Sequence, residues 1–342
     1  MYWDGKVVVD LSRDFIDSAG AKHYTKIAIG GVENINHFER KVEGVTTTER
    51  MKNNLSDDNV VSQKGLIEMF DSTIGASTVL MPFGGKTQTT ETQVSVQKLP
   101  VGNHFTNTAS IMAYGYNPYI AKWSPYHGAA YAVVDACAKV VAAGARYDNM
   151  RFSYQEYFER MTDAKSWGKP LAALLGALKM QVELGLPSIG GKDSMSGTFR
   201  DINVPPMLMA FGITTVDARN VISPEFKEGG HNIYVVRHTP TENYMPATDQ
   251  LKDNFDFVAD KMLSDDIVAG YAVGFGGVAE AVAKMSFGNK IGAALECDEQ
   301  MLYNLSYGSI VVESRRTLNH PSAELIGKTV KEEAIFVNGT RL

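Results

Sequence analysis

The densest chemistry in the sequence lies in Ile189-Gly190-Gly191-Lys192-Asp193-Ser194-Met195-Ser196-Gly197. Two adjacent glycines let a backbone approach an anion closely and aim successive amides at it. Lys192 adds positive charge, and Ser194 and Ser196 add hydroxyl donors. That is equipment for holding a phosphate. The run is not a P-loop, which needs four residues between its first Gly and a Gly-Lys-Ser/Thr triplet. Gly185 stands one residue too early, and Asp193 replaces the hydroxyl residue. A tight turn between a helix and a strand explains the same pattern.

Two further glycine clusters have a similar character. Phe83-Gly84-Gly85-Lys86-Thr87 repeats the Gly-Gly-Lys order, although a hairpin turn accounts for it better. Gly274-Phe275-Gly276-Gly277 precedes an apolar run, where a helix N-terminus would offer free amides to an anion. Close packing of that helix on a strand would need the same glycines.

Other catalytic patterns are absent from the sequence. His23, His37, His104, His127, His231, His238 and His320 show no metal-ligand spacing, and no Gly-x-Ser-x-Gly elbow offers a hydrolase nucleophile. His127, beside Tyr126 at an expected helix start, reads as a cap or a surface residue before it reads as a base. Asp135 and Lys139 stand four apart, the spacing of an ion pair on one helical face, worth a few tenths of a kcal/mol at a surface. Cys137 falls on the apolar stripe of the same helix and reads as core filling.

These residues need elements to position them. Apolar spacing predicts a helix over 127–143, with Pro125 ahead of it and Gly144 at its C-terminus, and a second over 170–184, stopped by Gly185 and Pro187. Strands are expected over 6–11, 78–81, 92–96, 207–216, 233–237 and 309–313, and further helices over 255–263 and 278–285. Alternating strands and helices argue for α/β and α+β architecture. Three stretches emerge. Residues 1–65 are polar and offer little to bury, as in a linker or an arm lying on something else. Residues 66–204 and 205–342 read as two domains, divided at Pro205-Pro206.

Composition narrows the setting. With 342 residues, 44% hydrophobic and 21% charged, the chain is long enough for about two cores and is not a disordered composition. Its net charge of −6, without a basic stripe, argues against nucleic acid as a partner. Two cysteines, Cys137 and Cys297, make no disulfide framework, and a reducing cytoplasm suits them. No apolar run approaches the roughly 20 residues that span a bilayer, and the N-terminus lacks a signal-peptide layout.

The segments together resemble one family. Gly190-Gly191-Lys192-Asp193-Ser194-Met195-Ser196 is similar to the Gly-Lys-Asp-Ser-Met-Ser signature of the large form of phosphoribosylformylglycinamidine synthase. Phe70-Asp71-Ser72-Thr73-Ile74-Gly75 resembles the start of that enzyme's second synthetase half, and Ser124-Pro125-Tyr126-His127-Gly128-Ala129 the beginning of its central helix. Gly276-Gly277-Val278-Ala279-Glu280 resembles a glycine-rich turn of the following domain, and Tyr2-Trp3-Asp4-Gly5 with residues 10–15 the end of the preceding one. The resemblance covers nearly the whole chain and hints that the chain is a piece of a longer one.

It implies an AIR-synthetase-like (PurM-like) fold, with an N-terminal-type domain followed by a C-terminal-type domain. It implies a C–N ligase of purine biosynthesis that converts formylglycinamide ribonucleotide (FGAR), ATP and glutamine-derived ammonia to the amidine, through an iminophosphate. ATP and Mg²⁺ are the implied cofactors. The implied partners are FGAR, the first synthetase half and the glutaminase domain. No catalytic residue is expected in this chain, which would be inactive alone. By carry-over, Gly190, Gly191 and Asp193 would lie at the nucleotide, Ser194 and Lys192 at the substrate, and Gly276 and Gly277 at nucleotide. Some relatives hold an auxiliary ADP through magnesium. Asp135, Lys139, Gln93 and Phe275 fall at those ligand positions, so only Asp135 is retained and the site is expected to be empty or weak. Without its first half the chain is expected to pair into a pseudo-native homodimer. The alternatives are a standalone synthetase or kinase of the same superfamily and a non-catalytic nucleotide-binding module.

Overall fold

A computed structural model describes residues 1–17, 24–33 and 35–342; His23 lies outside the described residues. The N-terminal strand expected over 6–11 is instead a small exposed hairpin, Tyr2–Trp3 paired with Lys6–Val7. Asp4 and Gly5 both take positive φ there, as a tight two-residue turn requires.

Two sheets follow. The first is built from β1 (Ser95–Lys98), β2 (Thr108–Gly115), β3 (Arg151–Tyr157), β4 (Ser188–Lys192) and β5 (Met207–Asp217), in the order β1-β2-β5-β3-β4. All neighbours are antiparallel except β3 and β4. The second contains β6 (Asn232–Val236), β7 (Ile267–Ala272), β8 (Gly292–Leu295), β9 (Ile310–Ser314), β10 (Ala323–Val330), β11 (Ile335–Val337) and β12 (Thr340–Arg341), in the order β7-β9-β6-β10-β8-β11-β12.

This topology corrects the boundary drawn at Pro205-Pro206. Strand β5, taken as the opening of the third stretch, is the central strand of the first sheet, paired with β2 on one side and β3 on the other. The proline pair merely leads into it, and the passage between the sheets falls between Asp217 and Asn232. Residues 78–81 form no strand; Thr78 makes a single bridge to Gln97.

The helices of more than five residues are α1 (Thr47–Leu55), α2 (Pro118–Trp123), α3 (Pro125–Ala142), α4 (Ala164–Leu184), α5 (Thr248–Leu263) and α6 (Gly277–Phe287). In α3, 15 of 18 residues are buried, so the expected stripe is in fact nearly the whole circumference. The reason is its place between layers. Its residues pack with Ile111 and Phe152 of the first sheet and with Val236, Ile267 and Val312 of the second, in one continuous core. Ser124 caps its first turn, and Pro125 occupies the first helical position, where its missing N–H costs nothing.

Helix α4 begins six residues before the expected start at Pro170. Asp163 and Ser166 form a reciprocal capping box that starts it, and Pro170 lies inside the helix. Gly185 ends it in the left-handed conformation. Helix α6 fills the other face of the second sheet, in a core with Val235, Tyr271 and Val311. The polar N-terminal stretch lies on this unit: Met51 of α1 joins the same core, and Phe38 packs on Tyr131 and Tyr244. No helix of the described residues is long and apolar enough to cross a membrane.

Candidate functional site

The glycine-lysine-serine run starts within β4, the outermost strand beside β3, with Gly190 to Lys192 as its last residues and Asp193 to Ser196 beyond its end. Ser188 through Lys192 are exposed. Gly190 has φ +143 with open space where a Cβ would stand, so only glycine adopts this backbone without strain. Gly191 has a second reason to be glycine, because a Cβ there would press on the Tyr154 carbonyl of β3. The loop is then tied to the end of β3. The Ser194 amide donates to the Glu156 carbonyl (3.1 Å), and the Phe158 amide donates to the Ser194 carbonyl (2.8 Å). Lys192 Nζ donates to Ser194 Oγ at 2.7 Å. An exposed lysine and bare glycine backbone therefore stand beside a half-buried hydroxyl, an arrangement that can receive a phosphate. Asp193 is exposed beside them.

Reading the sequence missed Glu156. Its side chain is buried under this loop, and its Oε1 has no hydrogen-bond partner. Burial, and secondarily the charge of Asp193, push its carboxyl up to about 7. The signal was present in Phe152, Tyr154 and Glu156, which alternate along one strand, so the third member had to face inward with the two aromatics.

A second group of singled-out residues does converge. Gln93, Asp135, Lys139 and Phe275 line one cleft of about 360 Å³ between the sheets. Asp135 and Lys139 form the expected pair, Nζ to Oδ2 at 2.8 Å, but it is buried and not at the surface. Lys139 also donates to the Tyr114 carbonyl at 2.8 Å. Asp135 Oδ1 has no partner, and burial raises this carboxyl against the lowering effect of Lys139. Gln93 is occupied at both ends by the Ala272 backbone. Phe275 lies between Arg40 and Tyr119. Lys284 bridges Glu91 and Glu280 in the same cleft.

Gly276 and Gly277 sit where α6 begins. The Gly276 amide donates to Glu280 Oε2 at 2.8 Å, so the helix supplies its own anion. Gly277 has φ +69, and a Cβ on it would overlap the Leu302 carbonyl. Packing accounts for both glycines. The Gly84-Gly85 cluster forms a short hairpin, Phe83–Gly84 with Thr90–Glu91, as expected. His127 is buried and held by Ser124 Oγ (2.7 Å) and the Asn243 carbonyl (2.9 Å), with burial lowering its pKa. This is a structural histidine beneath the cap, neither a surface residue nor an open base. Burial raises the Cys137 thiol and pushes Cys297 up to about 11, so neither is poised as a nucleophile. No cluster of three potential metal ligands exists among the described residues.

No protein-family model matches the chain. Individual proteins do. The phosphoribosylformylglycinamidine synthase subunit PurL of Thermoplasma acidophilum is 24% identical over 315 residues, covering 85% of this chain and 40% of that protein. PurL of Methanocaldococcus jannaschii is 25% identical over 333 residues, covering 89% and 43%. Among solved structures, Thermotoga maritima PurL complexed with ATP aligns over 96% of this chain and 48% of that one, with a TM-score of 0.64 at 15% identity. The chain is similar to PurL subunits in sequence and fold.

Its fold is accordingly AIR-synthetase-like, as the signature implied. The chain spans about 40% of the length of the PurL subunits it matches. A shorter neighbour shares the fold: thiamine monophosphate kinase (ThiL) of Aquifex aeolicus, complexed with AMPPCP and TMP, aligns over 82% of this chain and 94% of its own, with a TM-score of 0.56 and 12% identity.

Proposed function

We propose that the chain is the second synthetase half of phosphoribosylformylglycinamidine synthase, acting in the ATP-dependent amidation of FGAR by glutamine-derived ammonia. The observation that carries this reading is the solvent-facing Gly190, Gly191, Lys192 and Ser194 loop, in a chain whose relatives are named PurL. The loop is presented outward, where a first half would meet it. Gly190 and Gly191 would approach the ATP phosphates, Lys192 and Ser194 would hold the substrate phosphate, and Asp193 would orient Lys192. Such a task is positioning and charge stabilisation at phosphates. By the same resemblance, the catalytic groups and the magnesium ligands of the reaction lie in the first half. The cleft around Asp135 does not fit magnesium: one carboxylate oxygen is taken by Lys139, and Gln93 and Phe275 are engaged elsewhere. No step of the reaction is assigned to it.

The first half also has a surface to meet. The outer face of the first sheet exposes Met112 and Ile213, paired across β2 and β5, with Tyr114 at its margin, an apolar strip that no element of the described residues covers at Met112 and Ile213. In the absence of a first half, two copies of the chain are expected to pair through it. Sedimentation at micromolar concentration should give a dimer that Ile213→Lys dissociates; a monomer for the parent chain would refute the pairing.

The ThiL alignment, which nearly spans that shorter protein, favours a second reading as a standalone ATP-dependent enzyme. One assay separates them. ATP- and ammonia-dependent formation of the amidine is measured for the chain alone and with a first half added. Turnover only on addition supports the proposed half. Turnover by the chain alone supports the standalone reading. No turnover with nucleotide binding intact would leave a binding module and refute both enzymes.

A further inference from the structure

One further cavity belongs to neither cleft above. It encloses about 790 Å³ beneath an extended strap, residues 28–32, and above the first turns of α3 and α4. The volume lies within the range of sites for small organic molecules, roughly 300–1,000 Å³.

The strap is held at two points. The Ala28 amide donates to the Ala164 carbonyl at 2.8 Å, and Trp123 Nε1 donates to the Glu33 carbonyl at 3.0 Å. Gly168 on α4 makes the first contact feasible, since a Cβ there would overlap the Ala28 carbonyl oxygen. Between these anchors Gly30 and Gly31 form a roof with open space at both Cα atoms. Trp123 and Tyr126 supply flat walls, and Val204, Pro205 and Pro206 close the side next to the signature loop.

The charges are one-sided. Lys169 is neutralised by Glu159 at 2.6 Å. Lys122 and Lys165 are exposed at the rim and form no salt bridge within 4 Å among the described residues, with Asp163 the one acid acting on Lys165. His127 adds little charge, because burial lowers its pKa. An apolar, flat-walled chamber with two unpaired ammonium groups at its mouth selects a flat body carrying negative charge.

We propose that this cavity is a binding site for a small planar organic anion, an aromatic ring system carrying a carboxylate, sulfonate or phosphate. This goes beyond the amidation reading and does not depend on it: the site uses no residue assigned there.

The probe is 8-anilinonaphthalene-1-sulfonate, titrated into the full chain and followed by fluorescence. Saturable one-to-one binding is expected, weakened by salt. Its neutral analogue N-phenyl-1-naphthylamine should bind at least tenfold more weakly. Lys122→Glu/Lys165→Glu should lower the probe's affinity at least tenfold with an unchanged melting curve. Gly168→Ala should abolish that binding while the helix content is kept, because alanine suits a helix better than glycine and only the strap is displaced. Competition with 1-naphthoate and with AMP identifies the preferred headgroup. Equal affinity in both variants, equal binding of the neutral analogue, or displacement by neither competitor would overturn the proposal.

Discussion

Lys139→Met is expected to lower the stability of the chain by about 3–5 kcal/mol, the cost of leaving a buried carboxylate without its partner. Asp135 lies in a helix buried on nearly all sides, with Oδ2 bonded to Lys139 and Oδ1 without a well-formed hydrogen bond. Removal of the ammonium therefore leaves the whole carboxylate in a poor environment, and protonation is its escape. That gives the effect a pH signature. The folded-state pKa of Asp135 is already raised by burial, and loss of Lys139 raises it further. A group with a raised folded pKa stabilises at low pH and loses that contribution as pH rises. The deficit of the variant should shrink on acidification, as read by urea denaturation between pH 5 and pH 8. Asp135→Asn should cost less, because Lys139 keeps the Tyr114 carbonyl and contact with the open cleft. Asp135→Leu/Lys139→Met should recover much of the loss. A constant deficit across this pH range would mean that lost packing, not the uncompensated charge, is responsible.

The same pair governs what the cleft can hold. Each of its three carboxylates already contacts an ammonium, Asp135 that of Lys139 and Glu91 and Glu280 that of Lys284. A magnesium ion would have to displace an ammonium already in contact with Asp135. Crystals soaked with magnesium and ADP are accordingly expected to show no nucleotide chelated at Asp135.

How much of this was legible beforehand differs between fold and site. The signature around Lys192 could be read because its residue types are unusual together and local in sequence. The convergence of Gln93, Asp135, Lys139 and Phe275 could be read only through the family resemblance, since more than 180 residues separate its ends. Helix α3 was visible through its periodicity, but its burial on all sides was not, because that depends on a second sheet folding over it. The boundary at Pro205-Pro206 failed for a related reason. Prolines mark a local turn, whereas the membership of β5 in the first sheet is decided by hydrogen bonds to strands some 50 to 100 residues away. Glu156 was legible in principle from strand alternation, but the strand itself was not assigned. The strap over Gly168 had no sequence signal beyond Gly30-Gly31, whose partners lie on distant helices.

Two buried groups should give the chain a stability profile with opposing limbs near neutral pH. His238 is held as a neutral ring: Nδ1–H donates to the Tyr307 carbonyl, and Nε2 accepts from the Ala247 amide. Protonation of Nε2 would set two N–H groups against each other, and burial pushes the pKa down to about 4 from an ordinary 6.5. Between those values the unfolded chain binds more protons than the folded one, so stability rises with pH, by on the order of 3 kcal/mol across the window. Glu156 works the other way. Its carboxyl is raised to about 7 from an ordinary 4.5, so the folded chain binds more protons over that interval and stability falls as pH rises. Between about pH 4.5 and 6.5 the two contributions oppose each other, and the parent chain should show only a shallow slope. Glu156→Gln removes the falling limb and exposes the histidine limb, so the advantage of the variant over the parent should grow steadily from pH 4.5 to 7. Urea denaturation at half-unit pH intervals measures this directly. Parallel curves for the two proteins would show that Glu156 titrates as an ordinary carboxyl, and the loop bearing Lys192 and Ser194 would then rest on a permanent charge instead of a proton that leaves near neutrality.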